Sequence, residues 1–135
     1  MSQKLVKQVM HHGVIGCQAD TPVSEVVRIL SDTDIHALVV TGEAGEVVGI
    51  ISHMDVIPLH GQDLSRYTAS DIMTKKVISV SPDTPMSDAV KIMIDKRIHR
   101  LVVTEPQEDK LMPVGVLSTT DVVREMRGAK WTWYL

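Results

Sequence analysis

Apolar residues at helical spacing mark two segments of the chain. In each segment, four apolar positions stand at i, i+3, i+4 and i+7, which places them on one face of a helix. They are Val23, Val26, Val27 and Leu30 in the first segment, and Met86, Ala89, Val90 and Met93 in the second. An Asp-Thr-Pro tripeptide precedes each segment, at residues 20–22 and 83–85. We therefore expect each threonine to cap a helix and each proline to be the first helical residue.

Runs of apolar and β-branched residues predict three short strands around each helix. The predicted strands are residues 14–17, 37–41 and 48–51, and again 77–80, 101–104 and 114–117. Residues 42–45 and 105–109 form the predicted turns before the last strand of each set. A closing helix follows each last strand, cut short by Pro58 in the first set and running to Gly128 in the second. The predicted order is β-α-β-β-α, twice.

The two sets of elements are copies of one repeat. Thr21 aligns with Thr84 at an offset of 63 residues, whereas Gly49 aligns with Gly115 at an offset of 66, so the second copy has a three-residue insertion. Half a sheet with helices on one side cannot bury both faces. We therefore expect an α/β (α+β) fold in which the repeats pack about a pseudo-two-fold axis with grooves between them. The predicted boundaries are 1–58 and 71–128 for the repeats, 59–70 for a linker and 129–135 for an aromatic tail.

One seven-residue pattern joins the last strand to the closing helix in both repeats. Residues 49–55 and 115–121 each consist of glycine, two apolar residues, serine, two variable residues and aspartate. Free N–H groups and the helix dipole at such a junction favour an anion such as phosphate. Ser-x-x-Asp is also a capping box, in which each side chain bonds the other residue's N–H. Capping does not require the glycine and the apolar pair, so repetition of the whole pattern favours a site.

Composition and charge argue against some classes of function. Hydrophobic residues make up 44% of the 135 residues, which is typical of a globular chain, and the formal net charge of −3 argues against nucleic acid as the main ligand. We expect a cytoplasmic protein, because no segment is apolar enough for a signal peptide or a membrane span. Cys17 is the single cysteine, and its apolar surroundings predict a buried structural thiol.

The C-terminal tail is rich in aromatic residues. Trp131, Trp133 and Tyr134 are three of the four aromatic residues in the chain. Burying such rings stabilises by about 1.5–3 kcal/mol each. We therefore expect the tail to dock on the protein's own surface or on a partner subunit.

With these features together, the chain resembles a tandem pair of CBS (cystathionine-beta-synthase) domains over almost its whole length. Each repeat has a leading segment that ends in methionine (Met10 and Met73), the threonine-proline helix start, the strand hairpin and the glycine-to-aspartate motif. Repeat two carries the closer likeness. Its sequence from Ile98 to Val103 looks like the nucleotide-sensing gamma subunits of AMP-activated kinases.

The resemblance implies grooves for a regulatory ligand. CBS pairs bind AMP, ADP, ATP or S-adenosylmethionine between their repeats, with no obligatory cofactor. Matching motif positions implies that Asp55 and Asp121 hold ribose hydroxyls, to which a carboxylate is well suited, and that Ser52, Ser118 and Thr120 contact phosphate. The first strand of each repeat would hold the base. The remaining residues implied in the grooves are Ile15, Gly16, Ile78, Ser79, Val80, His99, Arg100 and Thr119.

The repeats differ at matched positions. Repeat one has Ala37 where repeat two has Arg100, and Met54 where repeat two has Thr120. We therefore expect the groove built on repeat two to bind a phosphorylated adenosine more tightly, and Met54 to pack in the core. Both a ligand-facing and a structural role are open for His99, which matches His36.

No motif predicts an enzyme. Ser52, His53 and Asp55 are too close in sequence to form a catalytic relay, and the six histidines lack the spacing of a zinc site. Two function classes remain open: a non-catalytic sensor that acts on an unidentified effector protein, and a dimerisation module with vestigial grooves. We expect a homodimer whose contacts come from two apolar helical surfaces, and the resemblance implies that this dimer is a disc of four repeats. One surface consists of Val122, Val123 and Met126, and the other consists of Val26, Val27 and Leu30.

Overall fold

The structure is a computed structural model that describes residues 3–35 and 37–127. All helices and strands named below lie in these two ranges. Two expectations fall outside the described residues: the helix end at Gly128 and the docking of the aromatic tail at residues 129–135. His36, the residue matched with His99, also lies outside them.

Repeat one contains the predicted β-α-β-β-α order, preceded by two short elements that the sequence did not predict. The leading elements are α1 (Val6–Val9) and β1 (His11–His12). The predicted elements are β2 (Gly16–Gln18), α2 (Val23–Asp32), β3 (Leu38–Thr41), β4 (Val47–Ile51) and α3 (His53–Val56). A 3-10 turn at Ile57–Leu59 ends α3, as expected from Pro58.

Repeat two has the same predicted β-α-β-β-α order, also preceded by short elements. A 3-10 turn at Leu64–Arg66 lies in the segment predicted as a linker, and α4 (Ala69–Ile72) begins before that segment ends. The following elements are β5 (Ser79–Val80), α5 (Met86–Lys96), β6 (Arg100–Gln107), β7 (Lys110–Ser118) and α6 (Thr119–Arg127). The two repeats therefore form the expected mixed α/β fold about a pseudo-two-fold axis.

Each repeat is built on a small sheet. In repeat one, β2 pairs in parallel with β3, and β3 pairs antiparallel with β4. In repeat two, β5 pairs in parallel with β6, and β6 pairs antiparallel with β7. The outer edge of β7 also takes β1, so this sheet has four strands in the order β1-β7-β6-β5.

The leading segments are exchanged between the repeats. The Val6 N–H donates to Thr84 O at 2.8 Å in repeat two, and the Ala69 N–H donates to Thr21 O at 2.8 Å in repeat one. Strand pairing follows the same rule, since His11 pairs with Val116 of β7 and Thr74 forms a bridge with Ile50 of β4. Each repeat is therefore completed by a segment that lies at the start of the other.

The two cores follow the same exchange. The repeat-two core holds Val6 and Met10 from the start of the chain, packed with Leu101 and Leu117. The repeat-one core holds Ala69 from the start of repeat two. The remaining buried members of that core are Val26, Leu30, Leu38, Val40 and Ile51. Separation of the repeats would expose both cores.

The starts of α2 and α5 differ from the prediction. Pro22 and Pro85 are the N-cap residues, with extended backbones (ψ of 144° and 141°), and the helices begin one residue later. The threonine hydroxyls do not cap these helices: Thr21 Oγ1 accepts from the Gln18 N–H, and Thr84 Oγ1 from the Ser81 N–H, both at 3.1 Å. Each threonine side chain therefore closes the turn before its helix, and each threonine carbonyl accepts from the exchanged leading segment.

The hairpin of repeat two is longer than predicted. Residues 105–109 were expected to form a loose turn, but β6 and β7 stay paired until Gln107 and Lys110. The turn is only Glu108 and Asp109, both with positive φ (52° and 58°). Two left-handed residues form the tight turn whose twist matches that of antiparallel strands. The three inserted residues therefore extend a strand pair.

Helix length also bears on membrane association. Within the part of the chain that the structure describes, no helix has both the length and the apolar character needed to span a bilayer.

Candidate functional site

The two Ser-x-x-Asp motifs form capping boxes. In repeat two, Asp121 Oδ2 accepts from the Ser118 N–H at 2.8 Å and from the Ser118 hydroxyl at 3.0 Å, while Ser118 Oγ accepts from the Asp121 N–H at 3.2 Å. In repeat one, Asp55 Oδ2 accepts from the Ser52 N–H at 2.8 Å. Within the motifs, the bonds that the Asp121 and Asp55 carboxylates accept all end on one oxygen, Oδ2. The capping interpretation of the motif is therefore correct, and the Oδ1 side of Asp121 remains for another role.

A third capping box separates capping from the rest of the motif. Asp71 Oδ2 accepts from the Thr68 N–H at 2.8 Å at the start of α4, with the same geometry. No glycine and apolar pair precede Thr68 as they precede Ser52 and Ser118. The glycine thus serves a different purpose.

The motif glycines give the leading segments room to approach. A Cβ on Gly115 would lie 2.5 Å from His11 O, and a Cβ on Gly49 would lie 2.4 Å from Met73 Sδ. Real Cβ atoms do not come this close to other atoms. Glycine at these positions therefore lets the exchanged segment pack directly against the strand that ends in the motif.

A groove of about 940 Å³ lies between the repeats. Repeat one contributes residues 11–15, the turn before β3 and His53, and repeat two contributes the end of β7 and the start of α6. Asp121, Ser118 and Thr120 lie on the repeat-two side. Ile15, which is 42% exposed, lies on the repeat-one side together with Val14. The groove combines an apolar wall from one repeat with the acidic motif of the other.

Arg100 does not line this groove. It lies near the motif of repeat one instead, where burial lowers the pKa of its guanidinium and the Asp55 carboxylate opposes that shift. Its Nε is buried and has no hydrogen-bond partner among the described residues. Thr74 donates from its hydroxyl to Asp55 Oδ1 at 3.3 Å in the same region. We call Asp55, Thr74 and Arg100 the second corner.

The expected grouping of site residues by repeat is therefore wrong. We expected Arg100, Thr120 and Asp121 to share a groove, but Arg100 lies with Asp55 and the other two lie with residues 11–15. The exchange of leading segments explains the difference. It brings β1 onto β7, so the repeat-one chain that follows β1 reaches the motif of repeat two.

The remaining expected residues have varied environments. Val80 is 8% exposed and packs in the repeat-two core, with Ile78 against the same core, so the Val80 side chain faces away from solvent. Gly16 is in close contact with β3, since a Cβ there would lie 2.9 Å from Val39 O. The exposed His99 accepts through its carbonyl from the Thr119 N–H at 2.9 Å. Ser79 is half-buried on β5.

Two packing expectations were also wrong. Met54 is 71% exposed instead of buried, because it lies on the outer side of the one-turn helix α3. Val26 and Leu30 are 0% and 6% exposed and pack in their own core, so they are not free for a subunit contact. Cys17 is half-buried, and burial raises the pKa of its thiol while a bond with the Thr21 hydroxyl partly opposes the shift.

Several groove residues were missed in the sequence. His11, His12, Asp34 and Arg124 line the groove and carry polar or charged side chains. Arg124 follows Asp121 by three residues on α6, a spacing that places both on one helix face. That spacing could have identified Arg124. The role of β1 could not be found from a two-residue strand of histidines.

A family comparison agrees with this architecture. The family model for the CBS domain matches the chain twice, at residues 6–59 and 69–128. The chain belongs to the CBS domain family. Both matches contain one glycine-to-aspartate motif, so the protein is a CBS pair.

Individual relatives are similar over most of this CBS pair. The mitochondrial CBS domain-containing protein CBSX3 of Arabidopsis thaliana is 35% identical over 80% of the chain, and protein MK0525 of Methanopyrus kandleri is 30% identical over 88%. The chain spans 54% and 61% of the length of these two relatives. The solved CBS domain pair of protein MJ0100, in complex with 5′-methylthioadenosine and S-adenosyl-L-methionine, is 27% identical with a TM-score of 0.84. That comparison covers 96% of this chain and 100% of the other.

Proposed function

We propose that this CBS pair is a non-catalytic regulatory module that binds an adenosine derivative in the groove beside Asp121. The observation that supports this most is the composition of the groove, in which an apolar wall at Val14 and Ile15 lies across from a carboxylate. An adenine ring suits the wall, and the vicinal hydroxyls of ribose suit a carboxylate that accepts two hydrogen bonds. The structural neighbour MJ0100 binds adenosine derivatives, which is consistent with this ligand class.

The capping geometry supports ribose binding by Asp121. Oδ2 is held by the Ser118 N–H and hydroxyl, which fixes the orientation of the carboxylate before a ligand arrives. A fixed acceptor loses little entropy on binding. Contact between Ser118 Oγ and a phosphate would require the hydroxyl to leave Oδ2, so we assign the phosphate contact in this groove to Thr120.

The second corner is proposed to take a phosphorylated ligand. Arg100 has a buried Nε with no described partner, and an unsatisfied buried donor costs free energy unless something accepts from it. A phosphate oxygen is a suitable acceptor because the guanidinium fork pairs with it in a planar geometry. AMP, ADP or ATP would therefore bind more tightly here than beside Asp121, which gives the module a role in energy sensing.

The same geometry supports a non-catalytic role. The Ser52 hydroxyl donates directly to Asp55 Oδ2 at 3.3 Å, so His53 does not stand between them as a base would in a catalytic triad. What the ligand controls is then an effector protein that contacts this CBS pair.

A thermal-shift series with adenosine, 5′-methylthioadenosine, S-adenosylmethionine, AMP and ATP tests the proposal. A ligand at 100 times its Kd should raise the free energy of unfolding by about 2.7 kcal/mol. Guanosine and GMP are the matched controls. The proposal is wrong if no adenosine derivative raises the melting temperature, or if the guanine compounds raise it equally.

A second candidate function is dimerisation without a ligand. Val123 and Met126 on α6 are 63% and 75% exposed, and Met54 and Ile57 at the end of repeat one are 71% and 56% exposed. Exposed apolar side chains at the two closing helices suit a homodimer in which closing helices meet. A stable dimer with no response to any adenosine derivative would favour this alternative.

A further inference from the structure

Cationic side chains gather where two segments enter the sheet of repeat two. Residues 74–78 lead into β5, and residues 94–100 join the end of α5 to the start of β6. β5 and β6 are parallel, with Ser79 paired to Val102, so the two segments reach the sheet side by side. The second corner takes one residue from each segment, beside the same carboxylate. We call residues 74–78 and 94–100 together the basic face.

The basic face has a formal charge of +4. It holds five cationic residues and one acidic residue, Asp95. The matched segments of repeat one, residues 11–15 and 31–37, hold two aspartates and neither lysine nor arginine, so their formal charge is −2 with histidine neutral. A chain with a net charge of −3 therefore presents one positive face, on one repeat only. Its cations are Lys75, Lys76, Lys96, Arg97 and Arg100.

These cations are available to an anionic partner. The three lysines and Arg97 are exposed, and none of them forms an ion pair within residues 3–35 and 37–127. Arg100 lies deeper, and its buried Nε has no hydrogen-bond partner in the same part of the chain. Like charges repel one another, so an anion that docks on the basic face would relieve this repulsion.

Arg97 has a backbone conformation that favours glycine. It ends α5 with φ of 53° and ψ of 48°, and its N–H donates to Ile94 O at 3.3 Å. Glycine adopts this left-handed conformation at a helix end without the cost that a side chain brings. Strained residues of this kind are concentrated at functional sites. A cation with no ion pair at such a position therefore points to a role for its side chain.

Ile94 adds an apolar contact to the basic face. It is 68% exposed beside Arg97, whereas the matched residue of repeat one is Ser31. An isoleucine suits a peptide side chain, and a phosphate chain has nothing apolar to place against it. The basic face also has no phenylalanine, tyrosine or tryptophan on which the bases of a single-stranded nucleic acid could stack. These features favour a peptide over other polyanions.

We propose that the basic face binds an acidic segment of the effector protein, with a large apolar side chain of that segment packed on Ile94. Carboxylates on either side of this apolar residue pair with the exposed lysines and Arg97. The inference rests on the part of the proposed function that assigns an effector to this CBS pair, and it holds without a ligand beside Asp121. Because exposed charges provide most of the attraction, binding should weaken as the salt concentration rises.

Fluorescence anisotropy of the full chain with a labelled peptide tests this inference. The probe is a peptide of glutamates with one central leucine, and the same peptide with glycine in place of leucine is its control. We expect the leucine peptide to bind more tightly than the glycine peptide. Ile94→Ser introduces the repeat-one residue and should weaken the leucine peptide by about three- to tenfold, with little effect on the glycine peptide.

Two substitutions of Arg97 separate binding from folding. Arg97→Asp introduces the residue found at the matched position of repeat one, and aspartate tolerates the left-handed conformation. We expect it to weaken peptide binding by about tenfold. Lys4→Glu makes the same charge change at the other end of α5, where Lys4 O accepts from the Met86 N–H at 2.9 Å, and should leave binding unchanged. Arg97→Gly should also weaken binding, while its melting temperature is at least as high as that of the unaltered protein.

The possible failures can be told apart. Equal losses for Arg97→Asp and Lys4→Glu would show an attraction that is not located on the basic face, and would overturn the inference. Tighter binding of single-stranded RNA, sodium polyphosphate or phosphatidylserine vesicles than of the leucine peptide would also overturn it. If adenosine derivatives raise the melting temperature but the peptide does not bind at low salt, the proposed ligand site stands and the basic face fails. Peptide binding without any response to adenosine derivatives would support the basic face and contradict the ligand site.

Discussion

Substitution of Gly115 by alanine tests how the exchanged leading segment is held. The new Cβ would lie 2.5 Å from His11 O, and ordinary contact begins at 3.4 Å, so β1 must move by about 0.9 Å. β1 is bonded to β7 on both sides of this point, including the Gly13 N–H to Val114 O bond of 2.8 Å. Overpacking against backbone typically costs about 1–3 kcal/mol. At about 4 °C per kcal/mol for a chain of this size, the melting temperature should fall by about 4–12 °C.

Gly49→Ala is the matched control. Its Cβ would meet the Sδ, Cγ and Cβ atoms of Met73, a side chain that can rotate, so we expect a cost of only about 0.5–1.5 kcal/mol. Both variants gain the same reduction in unfolded-state entropy, which cancels in the comparison. Met73→Ala should recover part of the loss in Gly49→Ala, because it removes the side chain in contact.

The melting temperature and the ligand affinity of both variants are measured, by thermal unfolding and by titration. Gly115→Ala should also weaken binding, because His11 and the residues after it form one wall of the groove. Equal melting temperatures for Gly115→Ala and Gly49→Ala would refute the argument, since β1 would then move away from β7 without cost.

Three further predictions concern charge, assembly and pH. Arg100→Ala should weaken the binding of AMP more than the binding of adenosine and flatten the salt dependence of AMP binding, measured by calorimetry at two ionic strengths. Equal losses of affinity for AMP and adenosine would contradict phosphate binding at the second corner. Joint replacement of Val123 and Met126 by glutamate should leave a particle of one chain mass, 14.9 kDa, in light scattering, where the unaltered protein gives twice that mass; a monomeric unaltered protein would contradict the dimer. The Lys110 ammonium lowers the pKa of Glu46 through a 2.8 Å bond, so this pair stabilises at neutral pH and its contribution is lost as acid protonates Glu46. The difference in melting temperature between the unaltered protein and Lys110→Gln should therefore shrink below about pH 4, and a constant difference would contradict the pairing.

Local patterns predicted the elements of the fold well. The helical spacing located α2 and α5, and Pro58 ended α3 as expected, because these features depend on residues that are near each other in sequence. The starts of α2 and α5 were wrong by one residue, because Pro22 and Pro85 keep an extended backbone and the hydroxyls of the preceding threonines form hydrogen bonds within the turn instead of capping the helix. Periodicity contains no information about such bonds.

The structure brings some of the expected site residues together and separates others. Asp121, Ser118, Thr120 and Ile15 do line one groove. The partner of Arg100 was not predictable, because it depends on the exchange of leading segments, and that exchange rests on the docking of Val6 and Ala69 in the opposite cores. Pairing across repeats is a property of the assembled fold.

The most direct test of ligand binding beside Asp121 is a titration of 5′-methylthioadenosine into the unaltered protein, Asp121→Asn and Asp71→Asn. Both variants weaken a capping box with the same 2.8 Å bond, but only Asp121 lines the groove. We predict similar small falls in melting temperature for both variants. We also predict that Asp121→Asn alone weakens binding, by about ten- to a hundredfold, since charge-assisted bonds to ribose are worth about 1.5–3 kcal/mol. Unchanged affinity in Asp121→Asn would show that the motif serves only to cap α6, and would contradict the proposed site.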